Sequence, residues 1–188
     1  MAPLIGLGAV VLVLILVMFV VSIYNRLVRN RNGVDRAAAT VDVQLKQRCD
    51  LIPNLVSSTR GYMDHERGVL EQLTALRERS SAPGAPIEER VRLDGEMSQL
   101  LRGLLVRVEA YPELKASEPV QLLQRSLNEV EAQIAAARRT YNAAVTDYNI
   151  AIETVPASLL AGSLGFARRA LFEAAAPDRA VPAVSLRS

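Results

Sequence analysis

The 188-residue chain carries 22 Lys and Arg against 20 Asp and Glu, and these charges are spread along its length. This balance excludes the basic face that a nucleic-acid-binding protein presents to a row of phosphates. The single cysteine excludes an intramolecular disulfide, and an abundance of Ala, Leu, Val, Arg, Glu and Gln with few aromatic residues predicts an all-α fold.

An uncharged apolar run occupies residues 4–23. About 20 residues at ~1.5 Å per residue cover the ~30 Å hydrocarbon core of a bilayer, so the run predicts one transmembrane helix. A cleaved signal peptide is the alternative. An uncleaved anchor is favoured because no Lys or Arg precedes the run and its apolar region is longer than that of a typical signal peptide. The arginines that follow the run place the N-terminus outside and the remaining chain in the cytoplasm, at the inner (plasma) membrane; they are Arg26, Arg29, Arg31 and Arg36.

Helical periodicity continues beyond the run and predicts that the first helix extends well past the membrane. Asp50 followed by Pro53 is typical of a helix start, because Asp caps free N–H groups and Pro is tolerated in the first turn. We therefore expect a tight turn near Cys49 and a second helix that ends in the Ser- and Pro-rich loop at residues 80–86.

Two further helices are predicted. The third runs from about Ile87 to Ala110 and ends at Tyr111-Pro112. The fourth has apolar residues three and four apart from Val120 to Val155, as in the seam of a bundle or coiled coil. The sequence thus predicts an N-terminal transmembrane helix continuing into an elongated antiparallel four-helix bundle.

Several motifs resemble the LemA family, and they occur in the order that this family has them. They are VDVQLKQRCDLIPNLV, YPELKAS, ARRTYNAAVTDYNIAIETVP and LLAGSLGF. The resemblance covers nearly the whole chain and implies a bacterial single-pass membrane protein with a long helical bundle, without specifying an activity. The chain departs from the family pattern between residues 167 and 171, where prolines and an aromatic residue are expected.

The expected organisation is a transmembrane anchor over residues 1–24, a LemA-like helical bundle over 25–156, and an apolar segment with a disordered tail over 157–188. No catalytic, metal or cofactor site is predicted. His65-Glu66 resembles the start of a zinc-protease motif, but position 69 is Val and His65 is the chain's one histidine. Cys49 is expected to be a buried or inert thiol.

A polar strip on the fourth helix is the first candidate site. It consists of Tyr141, Asn142, Asp147, Tyr148 and Asn149, in which each Tyr-Asn pair recurs after seven residues and so lies on one helix face. Either the strip binds a ligand or partner, or it forms a hydrogen-bonded layer that fixes the register between helices. The register interpretation is favoured.

A second candidate site follows Pro156. If three tight turns join antiparallel helices, the segment after the fourth helix returns to the bilayer. This segment combines apolar groups with arginines, as membrane-surface segments do; the residues are Leu159, Leu160, Leu164, Phe166, Arg168, Arg169 and Phe172. The alternative is that they cap the end of the bundle.

The sequence favours a membrane-anchored scaffold or adaptor whose partners are the lipid bilayer and other membrane proteins or further copies of itself. The alternative is a self-associating protein that organises or remodels membranes. An enzyme that uses carboxylates in the bundle is disfavoured, because di-iron bundles need Glu-x-x-His pairs and one histidine cannot provide two of them.

Overall fold

The computed structural model describes residues 2–82 and 87–172. Within these ranges the chain is helical and has no strand, which confirms the all-α prediction. The helices are, in chain order, α1 (Ala2–Thr59), α2 (Arg67–Ser80), α3 (Ile87–Val108), α4 (Pro112–Ala116), α5 (Glu118–Glu153) and α6 (Ser158–Ala161), with a 3₁₀ turn at Asp64–Glu66 before α2.

The predicted turn near Cys49 is wrong, because α1 continues through Pro53 and ends at Thr59. A proline inside a helix has no N–H to give to the carbonyl four residues earlier, here that of Cys49. Arg77 of α2 supplies a donor instead, with its Nε 3.3 Å from the Cys49 carbonyl oxygen. This contact with the neighbouring helix satisfies the carbonyl that Pro53 leaves without its usual partner.

The predicted second helix is divided in the structure, because residues up to Thr59 belong to α1 and a turn that the sequence did not predict separates them from α2. The remaining predicted helix ends agree closely with the structure. The helix before the Ser- and Pro-rich loop ends at Ser80, and the last residues of that loop lie outside the described chain. Pro112 occupies the first turn of the short α4, where its missing N–H costs no hydrogen bond. The predicted C-terminal tail lies outside the described residues from position 173 onward.

The helices form two compact units. Unit 1 is built from the chain up to residue 39 together with residues 139–171, and unit 2 is built from residues 40–138. Unit 2 packs the second part of α1, α2, α3 and the first part of α5 in a helical bundle. Its core is formed by aliphatic side chains at helical spacing on each of these helices; the fully buried ones include Ile52, Leu55, Leu73, Leu93, Leu104 and Val120.

In unit 1, the part of α1 that follows the apolar run packs against the end of α5 and the chain that follows it. Leu27 and Val34 of α1 are fully buried, as is Val145 of α5. The preceding part of α1 is different, because its large apolar side chains from Leu7 to Phe19 are exposed, for example Leu12 at 63%. Within the described residues this is the one helix that is long and apolar enough to cross a membrane.

Candidate functional site

Three residues of the polar strip of α5 contact residues 166–171, a stretch without regular secondary structure that we call the C-terminal segment. The Tyr148 hydroxyl donates to the Ala167 carbonyl oxygen at 3.0 Å, and the Tyr141 hydroxyl donates to that of Ala170 at 3.4 Å. Between these two contacts, Asn149 faces the backbone of Arg169. Tyr141, Tyr148 and Asn149 are all buried, and each of their side chains bonds to the backbone of the C-terminal segment.

Asn149 recognises the backbone of Arg169 in both directions. Its Nδ2 donates to the Arg169 carbonyl oxygen at 2.9 Å, and its Oδ1 accepts from the Arg169 N–H at 3.0 Å. An amide side chain used in this way replaces the pair of bonds that a neighbouring strand would make. Because the strip binds main-chain atoms, it places little restriction on the side chains of the C-terminal segment.

The other two residues of the predicted strip differ in exposure. Asp147 is exposed and Asn142 is half-buried. Thr146 donates to the Asn142 carbonyl oxygen within α5 at 2.8 Å. The structure therefore brings three of the five predicted strip residues together on one backbone stretch, and the predicted role in helix register stays a prediction.

Gly165 turns the chain into the C-terminal segment. It has a φ of 75°, a left-handed conformation in which glycine carries no steric penalty. The Phe166 N–H bonds to the Ala161 carbonyl oxygen at 2.9 Å and the Gly165 N–H bonds to that of Gly162 at 3.2 Å, as in a Schellman motif. This pattern explains the last residues of the LLAGSLGF motif.

Phe166 anchors the C-terminal segment against α1. The residue is buried, its ring lies edge-on to Tyr24 with 5.8 Å between the centroids, and the Arg31 guanidinium lies 5.4 Å from its centroid. Edge-to-face aromatic pairs and cation–π contacts are both favourable at such distances. Further along, Arg169 forms an ion pair with Asp35 at 3.1 Å. The C-terminal segment is thus held between α1 and α5.

The remaining predicted membrane-contact residues differ in exposure. Leu159 and Leu164 are exposed, Leu160 and Phe172 are half-buried, and Arg168 lies at the surface with its Nε 3.1 Å from a carboxylate oxygen of Glu153.

Unit 2 contains a buried ion-pair cluster that the sequence did not reveal. The Arg48 guanidinium, whose residue is 1% exposed, donates to Asp94 Oδ1 at 2.5 Å and to Ser98 Oγ at 2.6 Å, and it also pairs with Glu131. Arg138 contacts the second carboxylate oxygen of Asp94 at 2.7 Å. The cluster therefore connects α1, α3 and α5.

Burial dominates the electrostatics of this cluster. It raises the pKa of the Asp94 carboxyl, and the charges of Arg48 and Arg138 oppose that rise. It also lowers the pKa of the Arg48 guanidinium, which Asp94 in turn opposes. Each buried charge needs the other to offset its desolvation, so the cluster is suited to fixing the positions of three helices.

A match to a family model decides the classification of the chain. The model of the LemA family matches residues 37–186. The chain belongs to the LemA family. The resemblance read from the sequence motifs is therefore confirmed, and two of those LemA-like motifs now have structural explanations: the Arg48 motif supplies the buried cluster, and the Tyr-Asn motifs bind the C-terminal segment.

Curated relatives include LemA and magnetosome proteins from bacteria. The chain is 26% identical over 155 residues to Protein LemA of Metamycoplasma hominis, covering 82% of this chain and 71% of the relative. It is 26% identical over 192 residues to Magnetosome protein MamQ 2 of Paramagnetospirillum magneticum, covering 87% and 71% of the two chains. Magnetosome protein MamQ of Magnetospirillum gryphiswaldense is also 26% identical, over 184 residues that cover 83% of this chain and 68% of the relative.

The other residues considered for chemistry in this LemA-family chain are placed as follows. Cys49 is buried, and its burial raises the pKa of the thiol. His65 is exposed in the 3₁₀ turn before α2. Among the described residues there is no group of three or more His, Cys, Asp or Glu side chains with the geometry to hold a metal ion.

A groove lies between the end of α1 and α2 in unit 2. Its volume is about 720 Å³, and its walls combine apolar side chains with charged ones. Ile52, Val56 and Met63 form part of the apolar wall, while Arg60 and Glu71 contribute charges. Sequence patterns did not predict this groove, because they placed residues 50–80 in one helix, whereas the structure divides this stretch between the end of α1 and α2.

Proposed function

We propose that this LemA-family protein is a membrane-anchored adaptor that has no catalytic role and presents its helices to other membrane proteins on the cytoplasmic side. The observation that carries the proposal is the continuity of α1, in which the exposed apolar run and the first helix of the folded part are one helix. A helix of this kind fixes the folded part to the bilayer without a flexible linker.

The arginines after the apolar run support a cytoplasmic location, because positive residues near the end of a span are retained on that side. To test the orientation, a cysteine is introduced at the exposed Ala135 and treated with a membrane-impermeant maleimide. We expect labelling of Ala135→Cys after cell lysis and none in intact cells. Native Cys49 is a poor reporter because it is buried. Labelling in intact cells would show that the orientation is wrong.

The adaptor role is supported by large apolar side chains that unit 2 leaves exposed. Val106 on α3 is 69% exposed and Leu122 on α5 is 56% exposed. Apolar side chains at such positions are the groups that a partner protein can cover. The buried charges described in unit 2 are paired with one another, which fits a structural rather than a catalytic use.

Photocrosslinking in native membranes tests this role. A benzophenone amino acid is placed at Val106 or Leu122, and at the exposed Glu129 as a matched control on α5. We expect the same discrete partner at an apolar position in repeated experiments and no such product at Glu129. Products that contain two copies of this chain would favour the self-associating alternative, and absence of products at all positions would contradict the adaptor role.

A further inference from the structure

The burial pattern along α1 shows how far unit 1 extends over the apolar run. The side chains from Leu7 to Phe19 are exposed, Val20 is half-buried, and Ile23 is 9% exposed. Unit 1 therefore packs against the last turn of the apolar run itself. If that run lies in a bilayer, as the proposed function requires, the part of unit 1 at this level lies at the membrane surface.

The direction of the chain identifies which part this is. Phe166 contacts Tyr24, next to the end of the run, whereas Arg169 pairs with Asp35, about 16.5 Å further along α1 at ~1.5 Å per residue. The C-terminal segment thus leads away from the apolar run. The residues before Phe166, which include α6 and join it to α5, lie at the end of unit 1 nearest the run. We call residues 154–165 the α5–α6 turn.

The α5–α6 turn exposes several large apolar side chains. Val155 is 70% exposed, Leu159 is 76% exposed, and Leu164 is also exposed. These exposed side chains are not part of the core of unit 1. Apolar side chains at the level where a membrane helix leaves the bilayer are suited to insertion between lipid headgroups.

The charges around the turn favour anionic lipids. Arg26, Arg29 and Arg168 are exposed near this end of unit 1, and no acidic residue occurs in α1 between the apolar run and Asp35. An acidic residue, Glu153, lies at the end of α5 next to the turn, and its carboxylate forms an ion pair with Arg168. Cations beside an apolar surface are attracted to the negative potential of a cytoplasmic leaflet.

We propose that the α5–α6 turn is a second membrane contact, which inserts Leu159 and its apolar neighbours into the headgroup region of the bilayer that holds α1, with preference for anionic lipid. This inference rests on the proposed membrane anchor. It assigns the turn a lipid surface as its partner and gives unit 1 two attachments to one membrane.

The absence of tryptophan from the chain allows a direct test on the full-length protein. Single tryptophans replace Leu159, Val13 in the apolar run, or Ala143, an exposed residue of α5 in the same unit. The proteins are reconstituted into vesicles of phosphatidylcholine with phosphatidylglycerol, and quenching by brominated lipid is measured. We expect quenching and blue-shifted emission for Leu159→Trp and Val13→Trp, and neither for Ala143→Trp. Because Leu159 is mostly exposed, the substitution leaves the packing of unit 1 intact.

The outcomes separate this inference from the anchor. Quenching of Val13→Trp without quenching of Leu159→Trp would refute the second contact and leave the anchor standing. An unquenched Val13→Trp would contradict the anchor and the inference together. Equal quenching of Ala143→Trp and Leu159→Trp would also refute the inference, because unit 1 would then lack the defined orientation. Vesicles of phosphatidylcholine alone should reduce the quenching of Leu159→Trp, and unchanged quenching would overturn the lipid preference.

Discussion

The buried cluster of unit 2 makes a quantitative prediction for Arg48 and Asp94. Arg48→Met removes one partner of a buried ion pair, which typically costs about 3–5 kcal/mol. Arg138 still contacts the Asp94 carboxylate in that variant, so we expect a loss near ~3 kcal/mol. Asp94→Leu should cost a similar amount, because Arg48 keeps Glu131 and Ser98 as partners.

The double variant Arg48→Met/Asp94→Leu should behave differently, because it replaces the pair by apolar side chains and leaves Arg138 able to reach solvent. Additive effects would sum to about 6 kcal/mol, whereas we expect the double variant to cost less than either single variant. The strength of this coupling measures how far Arg48 and Asp94 depend on one another.

Urea unfolding of the full-length protein in mild detergent, followed by circular dichroism, measures these energies. With a slope of ~2 kcal/mol per M, a loss of ~3 kcal/mol lowers the midpoint by about 1.5 M. Arg92→Met is the matched control, because this exposed arginine of α3 pairs only with surface glutamates and should change stability by less than about 0.5 kcal/mol. Additivity within ~0.5 kcal/mol would refute the proposed coupling.

Two further predictions concern Cys49 and Asn149. Because Cys49 is buried and the pKa of its thiol is raised, a smaller fraction of it is thiolate at pH 8 than in a free cysteine. We expect slow alkylation of Cys49 in the native protein and fast alkylation in urea. Equal rates would contradict its burial. Asn149→Leu removes both bonds to the Arg169 backbone, so trypsin should cleave after Arg168 and Arg169 faster, while Asp147→Asn, an exposed control, should keep the original rate; unchanged cleavage in Asn149→Leu would show that the C-terminal segment is held by other contacts.

The parts of the fold that repeat along the sequence could be predicted from it. The stripe on α5 places Leu127, Ile134, Tyr141 and Tyr148 seven residues apart, and each of them is buried. Such a stripe is a local property, because every member is needed for the same helix face. The apolar run before Tyr24 is equally local, because its length alone matches the thickness of a bilayer.

The turn near Cys49 could not be predicted correctly from local rules. Asp50 and Pro53 carry the residue types of a helix start, yet the helix continues because Arg77 of another helix donates to the Cys49 carbonyl oxygen. That donor is 28 residues away in sequence. A rule that considers only the residues around Pro53 does not take this donor into account. For the same reason, local rules did not predict the groove that the extended α1 helps to form.

The candidate site shows a similar division. The Tyr-Asn repeat indicates a polar face on α5, but the partner of Tyr148 and Asn149 is a stretch of backbone, which has no recognisable side-chain pattern. The cluster around Arg48 was missed because Asp94, Ser98 and Arg138 are common polar residues on helices that also carry many surface charges. Only the packing of three helices distinguishes the buried charges from the exposed ones.

The contact between Tyr24 and Phe166 joins two residues that are synthesised at very different times. The ribosome releases α1 long before it synthesises Phe166, so Tyr24 has no Phe166 to contact when α1 is made. The helices of unit 2, within residues 40–138, are synthesised before the last part of unit 1, and domains generally fold as they emerge. Unit 1 is therefore completed last, and a chain that ends early at Val155 would lack the contact between Phe166 and Tyr24 of α1.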